Sequence, residues 1–296
     1  MADYDVIIAG GGLAGTIAAQ SISHYSNQGL KVLVIDRNPS NLPGMKSVAG
    51  WICGDAVSKE AVDFMTNRIK VSWGEPEIEH KVKGVMAFSP DRETSIPFDG
   101  AGYMLNRQVL PQRQNERTLA MGVDFDFEIN ITGLMYDGNQ VVGVQGIDYK
   151  TKTPYKKTAK VVIDATGMTS MLRNQISNST KMERKIDRKD IESTGRHIMY
   201  FDQGEEDPTE FDPDYCIIHL DQDIAPGGYG WVFPKGKNKV NIGLGVEKTL
   251  LEKRNQRLGK NDNVSMLINQ YLERNHAIKN PKLSEDPQDK NNATGN

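Results

Sequence analysis

The first 36 residues constrain the fold of this chain more than any other stretch. Residues 4–9 read Tyr-Asp-Val-Ile-Ile-Ala, a short apolar run with strand character, and Gly10-Gly11-Gly12-Leu13-Ala14-Gly15 follows at once. A helix of small residues runs on from Leu13, and residues 31–35 form a second apolar strand that ends at Asp36. Strand, glycine turn, helix, strand and acid at these distances make a βαβ unit of the dinucleotide-binding kind. Gly10 permits the tight turn, Gly12 lets the backbone approach a pyrophosphate at the helix N-terminus, and Gly15 allows the helix to pack closely on the strand. Asp36 is placed to accept a hydrogen bond from a ribose hydroxyl. With Ala14 and Arg37, these residues form the expected contacts to an adenine dinucleotide.

A second glycine-terminated strand separates a flavin from a nicotinamide. Residues 161–167 read Val-Val-Ile-Asp-Ala-Thr-Gly and end where the cofactor edge of the sheet should lie, which adds Asp164 and Gly167 to the candidate contacts. Before them, strands over 129–136, 141–148 and 155–160, with a Gly138-Asn139 turn, read as an antiparallel meander. Simple nicotinamide-binding domains continue with alternating helices and strands instead. The combination favours FAD.

Further along, residues 226–234 read Pro-Gly-Gly-Tyr-Gly-Trp-Val-Phe-Pro, and eight residues separate Pro234 from Gly243-Leu-Gly245. Side chains two apart on a strand share a face, so Tyr229, Trp231 and Phe233 line up. Gly243 and Gly245 keep the returning strand bare on their shared face, leaving room above it. Alternation alone leaves two readings open: rings packed into a core, or the wall of a ligand cavity.

Taken together, these segments resemble the geranylgeranyl reductase family, flavoproteins related in fold to aromatic hydroxylases that saturate isoprenoid double bonds. The specific part is Tyr-x-Trp-x-Phe-Pro followed by Gly-x-Gly, matched by Tyr229, Trp231, Phe233, Pro234, Gly243 and Gly245. In the family this pattern is associated with the lipid-binding cavity. The resemblance also implies cofactor-side roles for Lys46 and Gly54, a place beside the flavin for Cys53, and a flavin-side arginine opening a helix at Arg107. It implies an α/β fold: a three-layer, Rossmann-like FAD domain with a second, antiparallel-sheet substrate domain. The implied reaction is FAD-dependent reduction of carbon–carbon double bonds in geranylgeranyl chains of membrane-lipid precursors. Cys53 is the candidate catalytic residue, with positioning of substrate, redox control and a purely structural thiol all open beside a proton-donating role.

The expected organisation follows. Residues 1–75 and 102–185 belong to the FAD domain, with a helix over about 106–121 and a strand over 123–127. Residues 83–98 form a hairpin turning at Ser89-Pro90-Asp91, and with strands at 196–202, 215–221, 229–234 and 239–246 they make the substrate sheet. Residues 247–275 are helical, with Asp262 a candidate cap and Val264, Leu267, Ile268, Tyr271 and Leu272 on a core-facing stripe. Residues 276–296 read as a polar loop or a truncated end, because the family's third glycine motif is absent and a downstream continuation is expected. His219 alternates with Ile217 and Asp221 and reads as a structural histidine. No histidine spacing suggests a metal site.

Lys plus Arg total 36 against 39 Asp plus Glu, a net charge of -3, so there is no basic excess to hold a nucleic acid. Two cysteines make neither a disulfide framework nor a metal cluster. No run reaches the roughly 20 apolar residues of a spanning helix, and the first strand begins too early for a signal peptide. A cytoplasmic protein is expected, in loose peripheral contact with the inner membrane surface from which it would collect a prenyl lipid. Electrons would come from NAD(P)H or from a ferredoxin as electron-donor protein. Two rivals stay open: a flavin monooxygenase of the same superfamily, and a non-catalytic prenyl-lipid carrier.

Overall fold

The computed structural model describes residues 2–40, 53–168, 171–176, 186–203 and 207–284. Among them are the strands β1 (Tyr4–Ala9), β2 (Val32–Ile35), β3 (Ala56–Ser58), β4 (Ile78–Phe88), β5 (Ser95–Leu105), β6 (Asp124–Asp126) and β7 (Ile129–Asp137). They continue with β8 (Gln140–Asp148), β9 (Pro154–Asp164), β10 (Glu192–Gln203), β11 (Tyr215–His219), β12 (Gly230–Pro234), β13 (Lys239–Glu247) and β14 (Ile278–Leu283). The α-helices are α1 (Leu13–Tyr25), α2 (Lys59–Phe64), α3 (Leu110–Ala120), α4 (Lys248–Leu258) and α5 (Val264–Glu273). Two compact units result: Met1–Ser47 with Phe64–Ser72 and Gln108–Ile186, and Val48–Asp63 with Trp73–Arg107 and Asp187–Asn296.

The first unit is built on a six-stranded sheet in the order β6-β2-β1-β9-β8-β7. Its β6, β2, β1 and β9 run parallel, and β7 to β9 form an antiparallel meander. Ile7, Leu33 and Ile35 face one core while Ile8, Val32 and Val34 face another, which is why β1 and β2 read as unbroken apolar runs. The separate strands expected over 155–160 and 161–167 are one, β9, which ends at Asp164. No turn residue interrupts them, so β9 pairs with β8 through its first half and with β1 from Ala159 onward. Helix α1 packs on α3 through a buried amide contact, Gln20 Nε2 donating to Thr118 Oγ1 at 2.9 Å.

The second unit holds an eight-stranded sheet in the order β14-β10-β13-β12-β11-β4-β5-β3. All its neighbours are antiparallel except β4 and β11, which are not joined by a hairpin and pair parallel. The face bearing Val232, Ile242, Leu244 and Val246 is closed by Leu267, Ile268 and Tyr271 of α5. Trp231 and Phe233 point to the opposite face, in a smaller cluster with Val82, Met104 and Cys216.

Three expectations are corrected. Residues 48–63, 73–75 and 102–107 fall in the second unit rather than the FAD domain, because β3 pairs with the end of β5 through Ala56↔Met104. Residues 278–283 are not loop but β14, an edge strand on β10 that tolerates Pro281 and is anchored by buried Ile278. The cap of α5 is Asn263, whose side chain accepts from Met266 N–H, whereas Asp262 is taken up by Arg254.

Candidate functional site

In the first unit the glycine turn forms a cradle that any side chain would fill. Gly10 has φ +110°, and a Cβ there would lie 2.1 Å from Ala165 O; a Cβ on Gly15 would lie 1.8 Å from Gly10 O. Gly12 precedes α1, whose first turn has neither a side-chain cap nor an acid, so its N–H groups are open to an anion. Ala14, in that first turn, is exposed. Asp36 receives Gly11 N–H on Oδ2 at 2.6 Å and Asn38 N–H on Oδ1 at 2.8 Å. It thus fastens the glycine turn to the end of β2. Each oxygen retains a second acceptor site, enough for a ribose hydroxyl. Arg37 beside it is exposed. On the neighbouring strand, Asp164 Oδ1 accepts both Thr166 N–H and its hydroxyl, and Gly167 has φ +86° with open space where a Cβ would be. A cradle bare of side chains, an uncapped helix start and a carboxylate with acceptor sites to spare fit the adenosine diphosphate part of FAD.

In the second unit Tyr229, Trp231 and Phe233 stand in a row, with centroids 6.2 and 6.1 Å apart. The room expected above the glycines is not there at Gly243. Trp231 pairs directly across from it, and a Cβ at 243 would meet Trp231 Cζ2 at 2.4 Å, so the indole itself occupies the bare strand. Gly245 has more space, its nearest neighbours being Glu192 Oε2 at 3.1 Å and Thr194 Cγ2 at 3.3 Å. Trp231 and Phe233 are 5% and 8% exposed, whereas Tyr229 is 41% exposed. Burial, then the charges of Glu192 and Cys53, push the Tyr229 hydroxyl up from its ordinary value. Pro234 ends β12.

The segment Cys53-Gly54-Asp55 is bound to this hairpin. Gly54 lies against the Phe233 ring, where a Cβ would be 2.8 Å from Cε2. Cys53 is partly exposed; its Sγ accepts Asp55 N–H at 3.3 Å and its carbonyl accepts Asn241 Nδ2 at 2.8 Å. Beneath runs a buried polar chain: Trp231 Nε1 donates to Asn241 Oδ1, Asn241 Nδ2 and Lys235 Nζ donate to Asp55 Oδ2, and Lys235 also pairs with Glu79 at 2.9 Å. Burial raises Glu79, but Lys235 and Lys239 outweigh it and hold the carboxyl below its usual range. Sequence reasoning missed Asp55, Lys235, Asn241 and Glu79. Only the position of Lys235 directly after Pro234 offered any signal.

Of the other candidates, Lys46 lies outside the described residues. Arg107 is buried in the turn before α3, three residues short of the helix it was expected to open, and belongs to the second unit. His219 is held at both ring nitrogens, by Tyr271 Oη at 2.5 Å and Thr209 O at 2.7 Å, as a structural histidine would be. No group of metal-ligating side chains occurs among the described residues, and none of their helices is long and apolar enough to cross a membrane.

Comparison with known proteins fits both halves of this geometry. Residues 5–216 match the family described as FAD dependent oxidoreductase, and the chain belongs to that family. Residues 190–282, which include the aromatic row and Asn241, match the geranylgeranyl reductase catalytic domain. Digeranylgeranylglycerophospholipid reductase of Sulfolobus acidocaldarius is 36% identical over 245 residues, 82% of this chain and 50% of that protein. The enzyme of the same name from Methanosarcina acetivorans is 28% identical over 82% of this chain and 54% of its own length. The chain thus spans about half the length of these curated relatives. A solved geranylgeranyl bacteriochlorophyll reductase-like protein from Thermoplasma acidophilum superposes with a TM-score of 0.75 at 25% identity, covering 95% of this chain and 64% of that one. The myxobacterial chondrochloren halogenase CndH, 15% identical with a TM-score of 0.65 over 95% of this chain and 60% of its own, shares the fold.

Proposed function

We propose that this protein binds FAD in its first unit and reduces carbon–carbon double bonds in the geranylgeranyl chains of membrane-lipid precursors. The observation that carries the reading is the aromatic row, which lies inside the stretch 190–282 that matches the geranylgeranyl reductase catalytic domain, with Cys53, from outside that stretch, fastened beside it. An isolated alkene is not polarised, so its saturation needs a hydride and a proton together. Bound FAD, once reduced, supplies the hydride. The chain supplies the rest. Gly10, Gly12, Gly15 and Asp36 hold the dinucleotide, with Arg37, Asp164, Gly167 and Arg107 as further cofactor-side candidates. Tyr229 and the edge of Trp231 orient the prenyl chain and keep water from it. Cys53 Sγ delivers the proton, and the sulfur left behind keeps the Asp55 N–H as its donor.

The prenyl lipid would be collected by loose contact with a bilayer, and electrons would enter from NAD(P)H or a ferredoxin. The test is anaerobic: protein loaded with FAD and reduced is incubated with a geranylgeranyl ether lipid, and the lipid is analysed by mass. A gain of one dihydrogen per saturated bond is expected. Oxygen consumption matched by a hydroxylated product would make it a monooxygenase, and protein that stays colourless with FAD would leave only the carrier.

A further inference from the structure

We infer that Asn241 is a positioning residue that sets Cys53 and the Trp231 indole in one fixed relation, which the reaction proposed above requires. Asn241 lies on β13 across from Phe233 and is fully buried. Its carboxamide accepts Trp231 Nε1–H at 2.9 Å and donates to Cys53 O at 2.8 Å and to Asp55 Oδ2 at 3.1 Å. One side chain therefore reaches the central ring of the aromatic row, the main chain of the candidate proton donor, and the carboxylate two residues beyond it. Only a carboxamide suits all three, since it offers an acceptor oxygen and two donor hydrogens from one planar group.

Beyond Asn241, the main chain of the segment is held where Leu105 N–H donates to Asp55 O at 2.8 Å and β3 starts its pairing with β5 at Ala56. Asp55 is 2% exposed with φ +66°, a conformation that a non-glycine residue keeps only when its surroundings impose it. Its Oδ1 has no partner among the described residues, so its carboxylate is located wholly through Oδ2, by Asn241 and Lys235. Lys235 is tied in turn to Leu105 O at 2.8 Å and to Glu79. The network joins residues 188 positions apart, and Asn241 is the member that touches both the cysteine and the indole.

The test uses Asn241→Asp, which keeps the shape and the acceptor for the indole but loses both donors and sets a carboxylate against Asp55. Cys216 is buried and its thiol is pushed up to about 12, so in folded protein iodoacetamide reports on Cys53 alone. The expected result is a change of about tenfold or more in the Cys53 alkylation rate, a shifted tryptophan emission, and unchanged FAD content. Turnover of the prenyl lipid should fall by a similar factor, with the rate of flavin reduction by dithionite unaltered. Alkylation within about twofold of wild type, with unchanged emission, would overturn the inference. The thiol and indole readouts need no lipid, so failure of the wild-type protein to reduce a lipid strikes the proposed reaction and leaves the positioning test standing. If Asn241→Asp is insoluble, Asp55→Asn takes its place: Cys53 alkylation must change there too, and an unchanged rate counts against the network.

Discussion

Replacing Gly243 by alanine probes the hairpin where sequence and structure disagree. A methyl group there would stand 2.3 Å from Gly195 O, 2.4 Å from Trp231 Cζ2 and 2.8 Å from Arg196 Cβ. Carbon contacts relax only beyond about 3.5 Å, so two neighbours must each retreat by about 1 Å. One is a backbone oxygen in the strand where Arg196 pairs with Gly243, and the other is the ring at the centre of the aromatic row. Forcing the indole outward costs about 1–3 kcal/mol as overpacking. Spreading β10 from β13 weakens one or two ladder hydrogen bonds, each about 0.5–1.5 kcal/mol. Against this, alanine restricts the unfolded chain and returns about 0.4–1 kcal/mol. The net expectation is a loss of about 2–3 kcal/mol. Gly245→Ala provides the control, because its nearest neighbour is the tip of the exposed Glu192 side chain, which swings away, and its change should stay within about 0.5 kcal/mol of zero. The assay is urea unfolding followed by tryptophan emission. The first unit contains no tryptophan, so the signal belongs to the second. Equal losses for the two variants, or a Gly243→Ala protein as stable as wild type, would refute the packing argument.

Other outcomes follow from the same geometry. Asp36→Ala strands the Gly11 and Asn38 N–H groups; flavin retained after gel filtration should drop sharply, with about 1–3 kcal/mol of stability lost, whereas undiminished flavin would separate Asp36 from the cofactor. Burial, then the positive charge of Arg92, pushes His219 down to about 4 from an unfolded value of about 6.5. Its neutral form is therefore the folded one: the stabilisation is full above about pH 6.5 and is lost as pH falls towards about 4, up to about 3 kcal/mol in all. His219→Gln should flatten that part of the stability profile, as urea titrations at several pH values would reveal. In native protein iodoacetamide should modify Cys53 and spare Cys216, which reacts only after denaturation; mass analysis of the peptides checks this.

What was legible in the sequence was what is encoded locally. The turn from Gly10 to Gly15 and the acid at 36 state their own geometry, since Gly10, Gly11 and Gly15 are each required by a contact within the βαβ unit or with the neighbouring strand. The hairpin of β12 and β13 was legible as two strands with one aromatic face; the register that sets Trp231 opposite Gly243 came from the structure. The depth of the rings was not legible either, because alternation tells which side chains share a face and nothing about how far they sink. The pairing of β3 with β5, which takes 48–63 into the second unit, was hidden for another reason. A three-residue strand has no period to read, and its partner lies over 40 residues away. The Asn241 network was hidden most completely, as no local pattern marks a carboxamide whose partners are Cys53, Asp55 and Trp231.

These depths divide the labour within the aromatic row. Had the three rings formed one uniform wall, they would share a similar exposure, yet Trp231 and Phe233 are nearly sealed and Tyr229 is open. Phe233 spends its face on Gly54, which explains why a glycine must follow Cys53: any side chain at 54 would push the segment off the ring. Trp231 spends one edge on Gly243 and its N–H on Asn241. Two aromatics and one glycine thus act as the footing of the Cys53 segment, and Tyr229, beside Glu192 and Cys53, is the ring left open. On the proposed function, contact with a prenyl chain would concentrate at the Tyr229 end of the row, the one left exposed. Substitution at Tyr229 should act on substrate binding, while substitution at Phe233 should act through the position of Cys53, although the two residues lie in one motif and on one face.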